Sequence, residues 1–136
     1  MHVLLLEPDA VQAACYREAL ERAGHEVSHA LSAQGAVQAA DAHLPDVVVL
    51  ELQLQAHNGI EFLYEFRSYQ EWLHVPVVIH SFVSLQELAR SATLAVELGV
   101  VTTLYKPRTS LKQLCMAVRS VGVDVAAEAQ SDPVLL

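Results

Sequence analysis

The feature that most constrains this chain is a regular alternation of short apolar runs with amphipathic stretches. The runs are four or five residues long, are rich in Val, Leu and Ile, and lack the strict period-two alternation of a half-exposed strand. They are His2–Leu6, Glu26–Ala30, Val47–Leu50, Val75–Ile79 and Val100–Leu104. Strands that are buried on both faces have this pattern, so the sequence predicts a parallel sheet with helices above and below it.

Apolar stripes at helical spacing follow each of these runs. They cover about Ala10–Ala23, Ala33–Ala40, Phe62–Leu73, Leu85–Val96 and Leu111–Gly122. Residues suited to N-caps stand directly before several stripes, for example Asp9 before the first and Asn58 shortly before the third. Each stripe therefore predicts one helix, and the third stripe is an aromatic version made by Phe62, Phe66, Tyr69 and Leu73.

Five strands that alternate with five helices predict an α/β fold, because right-handed crossovers wind such a chain into an open, doubly wound sheet. The best match is a flavodoxin-like (βα)5 arrangement with a five-stranded parallel sheet of order 2-1-3-4-5. Its functional crevice would lie at the carboxyl ends of strands 1 and 3. The pattern fills residues 1–122, which we expect to form one domain, and leaves residues 123–136 as a C-terminal tail.

Composition excludes several classes of protein. Of the 136 residues 53% are hydrophobic, too many for a disordered chain. Since no apolar run approaches the roughly 20 residues of a membrane helix and no secretory signal is recognisable, we expect a cytoplasmic protein without a membrane partner. The net charge is −8 and the eight basic residues are scattered, which argues against nucleic acid as a partner.

Polar residues follow four of the predicted strands. Strand 1 is followed by Glu7-Pro8-Asp9, strand 3 by Glu51, strand 4 by His80-Ser81 and strand 5 by Lys106-Pro107. The carboxyl ends of parallel strands meet at one edge of the sheet, so acids, a hydroxyl and a lysine converge there. Two acids and a proline after strand 1 would repel a phosphate rather than cradle it, which disfavours dinucleotide-binding, P-loop and flavodoxin sites.

With these residues in place, the sequence resembles the receiver domains of two-component response regulators over about residues 1–122. In that family an acidic pair after strand 1 helps to bind Mg²⁺, and an aspartate ending strand 3 accepts a phosphoryl group from a histidine kinase. A Ser or Thr after strand 4 and a Lys-Pro after strand 5 complete the site. The resemblance implies that Glu7 is the first acid, Ser81 the switch hydroxyl and Lys106-Pro107 the Lys-Pro, while Gly59 matches a glycine before the third helix.

The departures from the family pattern affect the chemistry. Glu51 stands at the phospho-acceptor position, Pro8 replaces the second acid, and Thr103 replaces the aromatic switch residue. We therefore expect a pseudo-receiver with no catalytic residues and no cofactor other than weakly bound Mg²⁺ at Glu7, Asp9 and Glu51.

Two hypotheses remain open for Glu51. It either holds the site in an arrangement like the phosphorylated one, through Lys106 and Ser81, or is an ordinary surface residue paired with Lys106. Both place Glu51 within salt-bridge distance of Lys106.

The resemblance also implies a partner surface made by the fourth helix, fifth strand and fifth helix. Its basic residues are Arg90, Lys106, Arg108, Lys112 and Arg119, which suit an acidic protein partner or a second copy in a homodimer. The expected function is that of a stand-alone atypical receiver, not an enzyme, that signals by protein–protein contact without aspartyl phosphorylation. The alternatives are a phosphorylatable receiver in a phosphorelay and a non-signalling α/β binding module.

The seven histidines do not indicate a metal site in the sequence. His25 and His29 fall on one face of a predicted strand, but no Cys or carboxylate stands near them at the local spacing of a metal site.

Overall fold

A computed structural model describes the backbone of residues 1–84, 86–87 and 97–130, and the side chains of these residues up to Gly122. Most of the fourth predicted helix, including Arg90, lies outside the described residues, as do residues 131–136 of the predicted tail.

The five strands form one parallel sheet of order β2-β1-β3-β4-β5, which confirms the predicted topology. They are β1 (His2–Leu6), β2 (Glu26–Ala30), β3 (Val47–Leu50), β4 (Val77–Ser81) and β5 (Val100–Tyr105). All the residues of β1 and β3 are buried, as the continuous apolar runs indicate for strands at the centre of a sheet covered on both faces.

Helices cover both faces of this sheet. They are α1 (Ala10–Arg22), α2 (Ala33–Ala42), α3 (Gly59–Arg67) and α4 (Leu111–Gln130), with short 3-10 helices at Gln70–Trp72 and Lys106–Arg108. The fifth predicted helix is therefore α4, and it continues beyond Gly122 into the segment expected to be a tail. Asp9, Ser32 and Asn58 cap α1, α2 and α3 through their side-chain oxygens, as N-caps do.

Alternate residues of the central strands enter two separate hydrophobic clusters. Leu4 and Leu6 of β1 pack in the cluster that contains Phe62 of α3, whereas Val3 and Leu5 pack in the cluster that contains Leu114 of α4. This division follows from the period-two geometry of a strand, and it leaves the two ends of the sheet as the places where polar groups gather.

The third predicted helix is shorter than its apolar stripe. It ends at Arg67. The Arg67 guanidinium donates hydrogen bonds to the carbonyl oxygens of three later residues, Trp72 (2.6 Å), Val75 (2.6 Å) and Leu98 (3.0 Å). Because Val75 is tied to Arg67 rather than to a neighbouring strand, β4 begins two residues later than predicted and extends through Ser81.

None of the helices within the described residues is both long enough and apolar enough to cross a membrane.

Candidate functional site

Four polar side chains meet at the carboxyl edge of the sheet. Glu7 follows β1, Glu51 follows β3, Ser81 ends β4 and Lys106 follows β5, so the parallel arrangement brings them together. All four are buried, with exposed fractions of 3%, 3%, 0% and 8%. Buried charges are costly unless they are paired, so the pairing of these groups determines what the site can do.

Lys106 is held by three acceptors. Its ammonium donates to Glu7 Oε1 at 2.5 Å, to Glu51 Oε1 at 2.8 Å and to Gln12 Oε1 at 3.2 Å. An ammonium has three protons, and each is used here. Burial alone would lower the pKa of Lys106, but its bonds to Glu51 and Glu7 outweigh burial and raise that pKa above the ordinary value. Lys106 is therefore charged at neutral pH.

Glu51 joins three strands through one carboxylate. Its Oε1 atom accepts from Lys106 after β5, and its Oε2 atom accepts from the Ser81 hydroxyl of β4 and from the Gln53 backbone N–H at 3.1 Å. Burial would raise the pKa of Glu51, but these donors more than offset it and hold the pKa below its ordinary value. The expected ion pair with Lys106 is confirmed, whereas the view of Glu51 as a surface residue is wrong because Glu51 is 3% exposed.

Aromatic rings shield the Lys106 ammonium from water. It lies 4.8 Å from the ring centroid of Phe82 and 5.7 Å from that of Tyr16, distances at which a cation is attracted to a ring face. The Tyr16 ring in turn meets His80 edge-on at 4.7 Å between centroids. Burial, followed by the charge of Lys106, lowers the pKa of His80 to about 4, so His80 is neutral at pH 7.

Asp9 lies at the rim of this pocket and not among its buried acids, where the sequence placed it. Its carboxylate is exposed and accepts from the N–H groups of Val11 and Gln12, which makes it the N-cap of α1. Its backbone N–H donates to Glu7 Oε2 at 3.1 Å, and its Oδ2 atom accepts from Gln12 Nε2 at 3.4 Å, so Asp9 borders the site. The first N–H groups of α1 have no partners within the helix, and the Asp9 carboxylate accepts from two of them. These bonds keep the Asp9 side chain at the start of α1.

The residues present do not fit the Mg²⁺ that the receiver family uses. Each of the four carboxylate oxygens of Glu7 and Glu51 already accepts a hydrogen bond from a protein donor. Mg²⁺ needs oxygen ligands in near-octahedral geometry, and Pro8 contributes no side-chain ligand. An ion at either carboxylate would compete with donors that the protein already supplies, Lys106 at both Oε1 atoms and backbone N–H groups at both Oε2 atoms.

Gly59 closes the loop that follows Glu51. Its N–H donates to the Leu52 carbonyl at 2.8 Å, and a Cβ at this position would lie 2.8 Å from the Leu52 Cα and 3.2 Å from the Glu51 carbonyl oxygen. A glycine is therefore required for space at the start of α3. Pro107 lies in the exposed 3-10 turn that carries Lys106 into the site.

A sequence model of the response regulator receiver domain matches residues 3–119. This chain belongs to that family. The receiver match covers all of the sheet except His2, the first residue of β1, and it includes Glu7, Glu51, Ser81 and Lys106.

Individual relatives resemble part of this receiver. The polar-differentiation response regulator DivK of Brucella ovis is 26% identical over 76 residues, which are 56% of this chain and 62% of DivK. A protein-glutamate methylesterase/protein-glutamine glutaminase of Treponema denticola is 36% identical over 81 residues, but these are 60% of this chain and only 21% of that protein.

Solved structures agree with the fold of this receiver. The chemotaxis response regulator CheY4 of Vibrio cholerae has a TM-score of 0.78 at 20% identity and covers 88% of this chain and 97% of its own. The non-phosphorylated HemR receiver domain of Leptospira biflexa has a TM-score of 0.74 at 25% identity, covering 88% and 92%. The flavodoxin-like fold expected from the sequence is therefore confirmed.

Three of the basic residues assigned to the partner surface are exposed. Arg108 follows β5, and Lys112 and Arg119 lie on α4. Lys106 is buried in the ion pairs and adds no charge to this surface, which corrects the count made from the sequence. We call Arg108, Lys112 and Arg119 the basic surface.

Gln12, Tyr16 and Phe82 belong to the site but were not found in the sequence. Gln12 and Tyr16 lie on the first turns of α1, next to the crevice, and are linked by a hydrogen bond of 3.0 Å from the Tyr16 hydroxyl to Gln12 Oε1. Phe82 directly follows Ser81. The signal available in the sequence was that all three residues closely follow predicted strands at the carboxyl edge. Polar and aromatic residues occur there for many reasons, so this position alone does not assign them to the site.

Proposed function

We propose that this receiver takes part in two-component signalling by protein–protein contact, without aspartyl phosphorylation. Glu51 takes the place of a phosphorylated aspartate by holding Ser81 and Lys106 from one carboxylate. The observation that carries this proposal is the chain of bonds from Ser81 through Glu51 to Lys106, which links β4, β3 and β5 without any added group.

Electrostatics supports the absence of phosphorylation. The buried site holds two carboxylates and one ammonium, so its formal charge is negative before any phosphoryl group arrives. A phosphoryl donor carries further negative charge, and phosphoryl transfer depends on cations that neutralise its oxygens. Here the one cation among the described side chains of the site is already paired twice, the oxygens of both carboxylates already accept hydrogen bonds, and Pro8 offers Mg²⁺ no side-chain ligand.

The basic surface is the proposed route to a partner. Arg108 lies two residues beyond Lys106 in the same 3-10 turn. A movement of Lys106 in its ion pairs would therefore also move Arg108, which belongs to the basic surface. Exposed Met116 and Leu111 on α4 add apolar area beside Lys112. Positive charge around an apolar patch suits an acidic protein segment, on a protein partner or on a second copy of this chain.

Reaction with a small phosphodonor tests the proposal. The wild-type chain, incubated with acetyl phosphate and Mg²⁺, should keep its unmodified intact mass. The double variant Pro8→Asp/Glu51→Asp should gain one phosphoryl group, and each single variant should gain less, because ligands to one ion act together. Efficient phosphorylation of the wild-type chain would overturn the proposal and favour a working phospho-acceptor.

Coupling between the site and the basic surface separates a signalling receiver from a binding module that merely has the fold. Glu51→Gln keeps the shape of the side chain and removes its charge. It should shift the backbone NMR signals of Lys112 and Arg119 on α4, while the matched control Glu65→Gln, an exposed change on α3, should not. Shifts confined to the carboxyl edge would support the non-signalling alternative.

A further inference from the structure

A second cluster of ionisable side chains lies at the opposite, amino edge of the sheet. His2 starts β1, Glu26 starts β2, and His43 directly follows α2. One ligand atom from each of the three lies within 4.8 Å of the others. The cluster takes no part in the function proposed above, because Glu7, Glu51 and Lys106 lie at the other end of the strands.

The sheet register fixes the first two members. His2 and Glu26 are direct partners in the parallel β1–β2 pair, so their side chains leave the same face of the sheet. The His2 backbone N–H also donates to Asp46 Oδ2 at 2.7 Å, which ties the start of β1 to the segment before β3. This segment carries His43 to the same edge, where its ring stacks on that of His2 with 3.7 Å between centroids.

His2 has a buried nitrogen without a hydrogen-bond partner. The residue is 8% exposed, its Nε2 atom lies 2.9 Å from the Ser28 hydroxyl, and its Nδ1 atom has no partner within the described residues. When Nε2–H donates to Ser28, Nδ1 carries a lone pair that faces Glu26, whose carboxylate is 3.8 Å away. A buried polar atom without a partner is rare in proteins and calls for an explanation.

We propose that His2 Nδ1, the Glu26 carboxylate and a ring nitrogen of His43 form a binding site for a divalent transition metal ion, with Zn²⁺ as the preferred ion. Two imidazoles and one carboxylate are a donor set that Zn²⁺ uses in proteins, with water completing a tetrahedral site. Mg²⁺ and Ca²⁺ prefer oxygen ligands and are disfavoured here. The Ser28 hydroxyl orients the His2 ring from the far nitrogen, as outer hydrogen bonds do for metal-binding histidines.

One further observation favours a cation at this place. His43 is the C-cap of α2, where the carbonyl end of a helix attracts positive charge.

Binding requires one local movement. In a stacked pair the ring planes are nearly parallel, here at 16°, and their nitrogens do not aim at one point. The His43 side chain is exposed, so its ring is free to turn about the Cα–Cβ bond toward the ion without disturbing the core. His2 keeps its place, and Glu26 is 79% exposed and free to follow.

Titration of the chelator-treated protein with Zn²⁺ tests the proposal. Calorimetry should show one ion per chain, and nitrogen-15 spectra of the imidazole rings should show shifts of His2 and His43. Loss of an outer hydrogen bond alone costs 10–100-fold in metal affinity, so His43→Ala and Glu26→Gln should each weaken binding by at least about tenfold. Both changes are at exposed side chains, so the variants should keep their fold.

His74→Ala is the matched control, since His74 is an exposed histidine outside the cluster. It should change the affinity less than twofold. Affinity equally insensitive to all three substitutions would overturn the proposal, as would Zn²⁺ signals at His57 or His74 instead of His2. Failure of millimolar Zn²⁺ to saturate the wild-type chain would overturn it as well.

Discussion

The two ends of the parallel sheet differ in whether their buried polar atoms have hydrogen-bond partners. At the carboxyl edge, every carboxylate oxygen of Glu7 and Glu51 has a donor, and all three protons of Lys106 have acceptors. At the amino edge, His2 Nδ1 is buried without a partner among the described residues. The carboxyl edge is complete without a ligand, whereas the amino edge leaves one buried atom that a ligand would satisfy.

This difference shows where charge is compensated inside the molecule. The carboxyl edge pairs two buried negative charges with one buried positive charge, at the cost of removing all three from water. The amino edge keeps its acid, Glu26, largely in water and buries only a neutral imidazole. Substitutions at the carboxyl edge should therefore have the larger effects on stability.

The largest effect is expected from Lys106→Met. The variant leaves two buried carboxylates without their counter-ion, and breaking a buried ion pair from one side costs about 3–5 kcal/mol. Denaturant unfolding measures the loss, with the exposed Lys112→Met as control, which should change stability by no more than about 0.5 kcal/mol. A loss from Lys106→Met as small as that of the control would show that the carboxyl edge is not held by its ion pairs.

Acid should weaken the carboxyl edge through His80. Its pKa falls from 6.5 to about 4 on folding, so below pH 6.5 the unfolded chain binds a proton that the folded chain does not. The stabilisation is complete above pH 6.5 and is lost as the pH falls toward 4, by about 3 kcal/mol at most. The folded pKa of Glu51 is also lowered, so its stabilisation is lost only at still lower pH, below its ordinary pKa of 4.5.

Unfolding of His80→Gln between pH 4.5 and 7 isolates this effect. The variant should show a flatter dependence of unfolding free energy on pH than the wild-type chain. His74→Gln should run parallel to the wild type, because His74 is exposed. The lowered pKa of His2 contributes a slope of the same sign, which remains in both variants. Identical slopes for His80→Gln and wild type would contradict the prediction.

A pair of serine substitutions compares the two edges directly. Ser81→Ala removes a hydrogen bond to the charged Glu51 carboxylate, which contributes roughly 1.5–3 kcal/mol. Ser28→Ala removes a bond to the neutral His2 ring, which contributes roughly 0.5–1.5 kcal/mol. Urea unfolding of both variants should give the larger loss of unfolding free energy for Ser81→Ala. The reverse order would contradict the view that the carboxyl edge depends more strongly on its polar contacts than the amino edge does.

The smallest effect is expected from Phe82→Leu. Phe82 is 48% exposed, so the substitution keeps an apolar side chain and removes mainly the attraction between the ring and the Lys106 ammonium. Such a contact contributes about 0.5–1 kcal/mol at an exposed site. Denaturant unfolding at low and high salt should give this loss with little difference between the two, since Lys106 itself is buried.

The sequence predicted the central strands better than the ends of β4. Strands buried on both faces contain little besides apolar residues, so β1 and β3 match their runs. His80 and Ser81 also lie in the sheet, but polar residues are buried only when distant parts of the chain supply partners. For Ser81 that partner is Glu51, on another strand, and no local pattern shows it.

The sequence predicted correctly the site residues whose positions follow from the strand topology. It did not predict the positions of side chains that depend on local hydrogen bonds or on strand register. Glu7, Glu51, Ser81 and Lys106 converge because parallel strands end together. Asp9 suits both a helix cap and an acidic pocket, and the nearer partner prevailed. The cluster of His2 with Glu26 and His43 depends on strand register and on the path after α2, so spacing in the sequence could not reveal it.

The close packing at Gly59 couples the position of α3 to the carboxyl edge of the sheet. Gly59→Ala would push its new methyl group against the Leu52 backbone and the Glu51 carbonyl without replacing any charged residue of the pocket. The displacement would tilt the Glu51 side chain away from one of its two neighbours, Ser81 or Lys106. A displacement of α3 would therefore reach the ion pairs at the centre of the sheet through the contacts of Gly59 with Leu52 and Glu51.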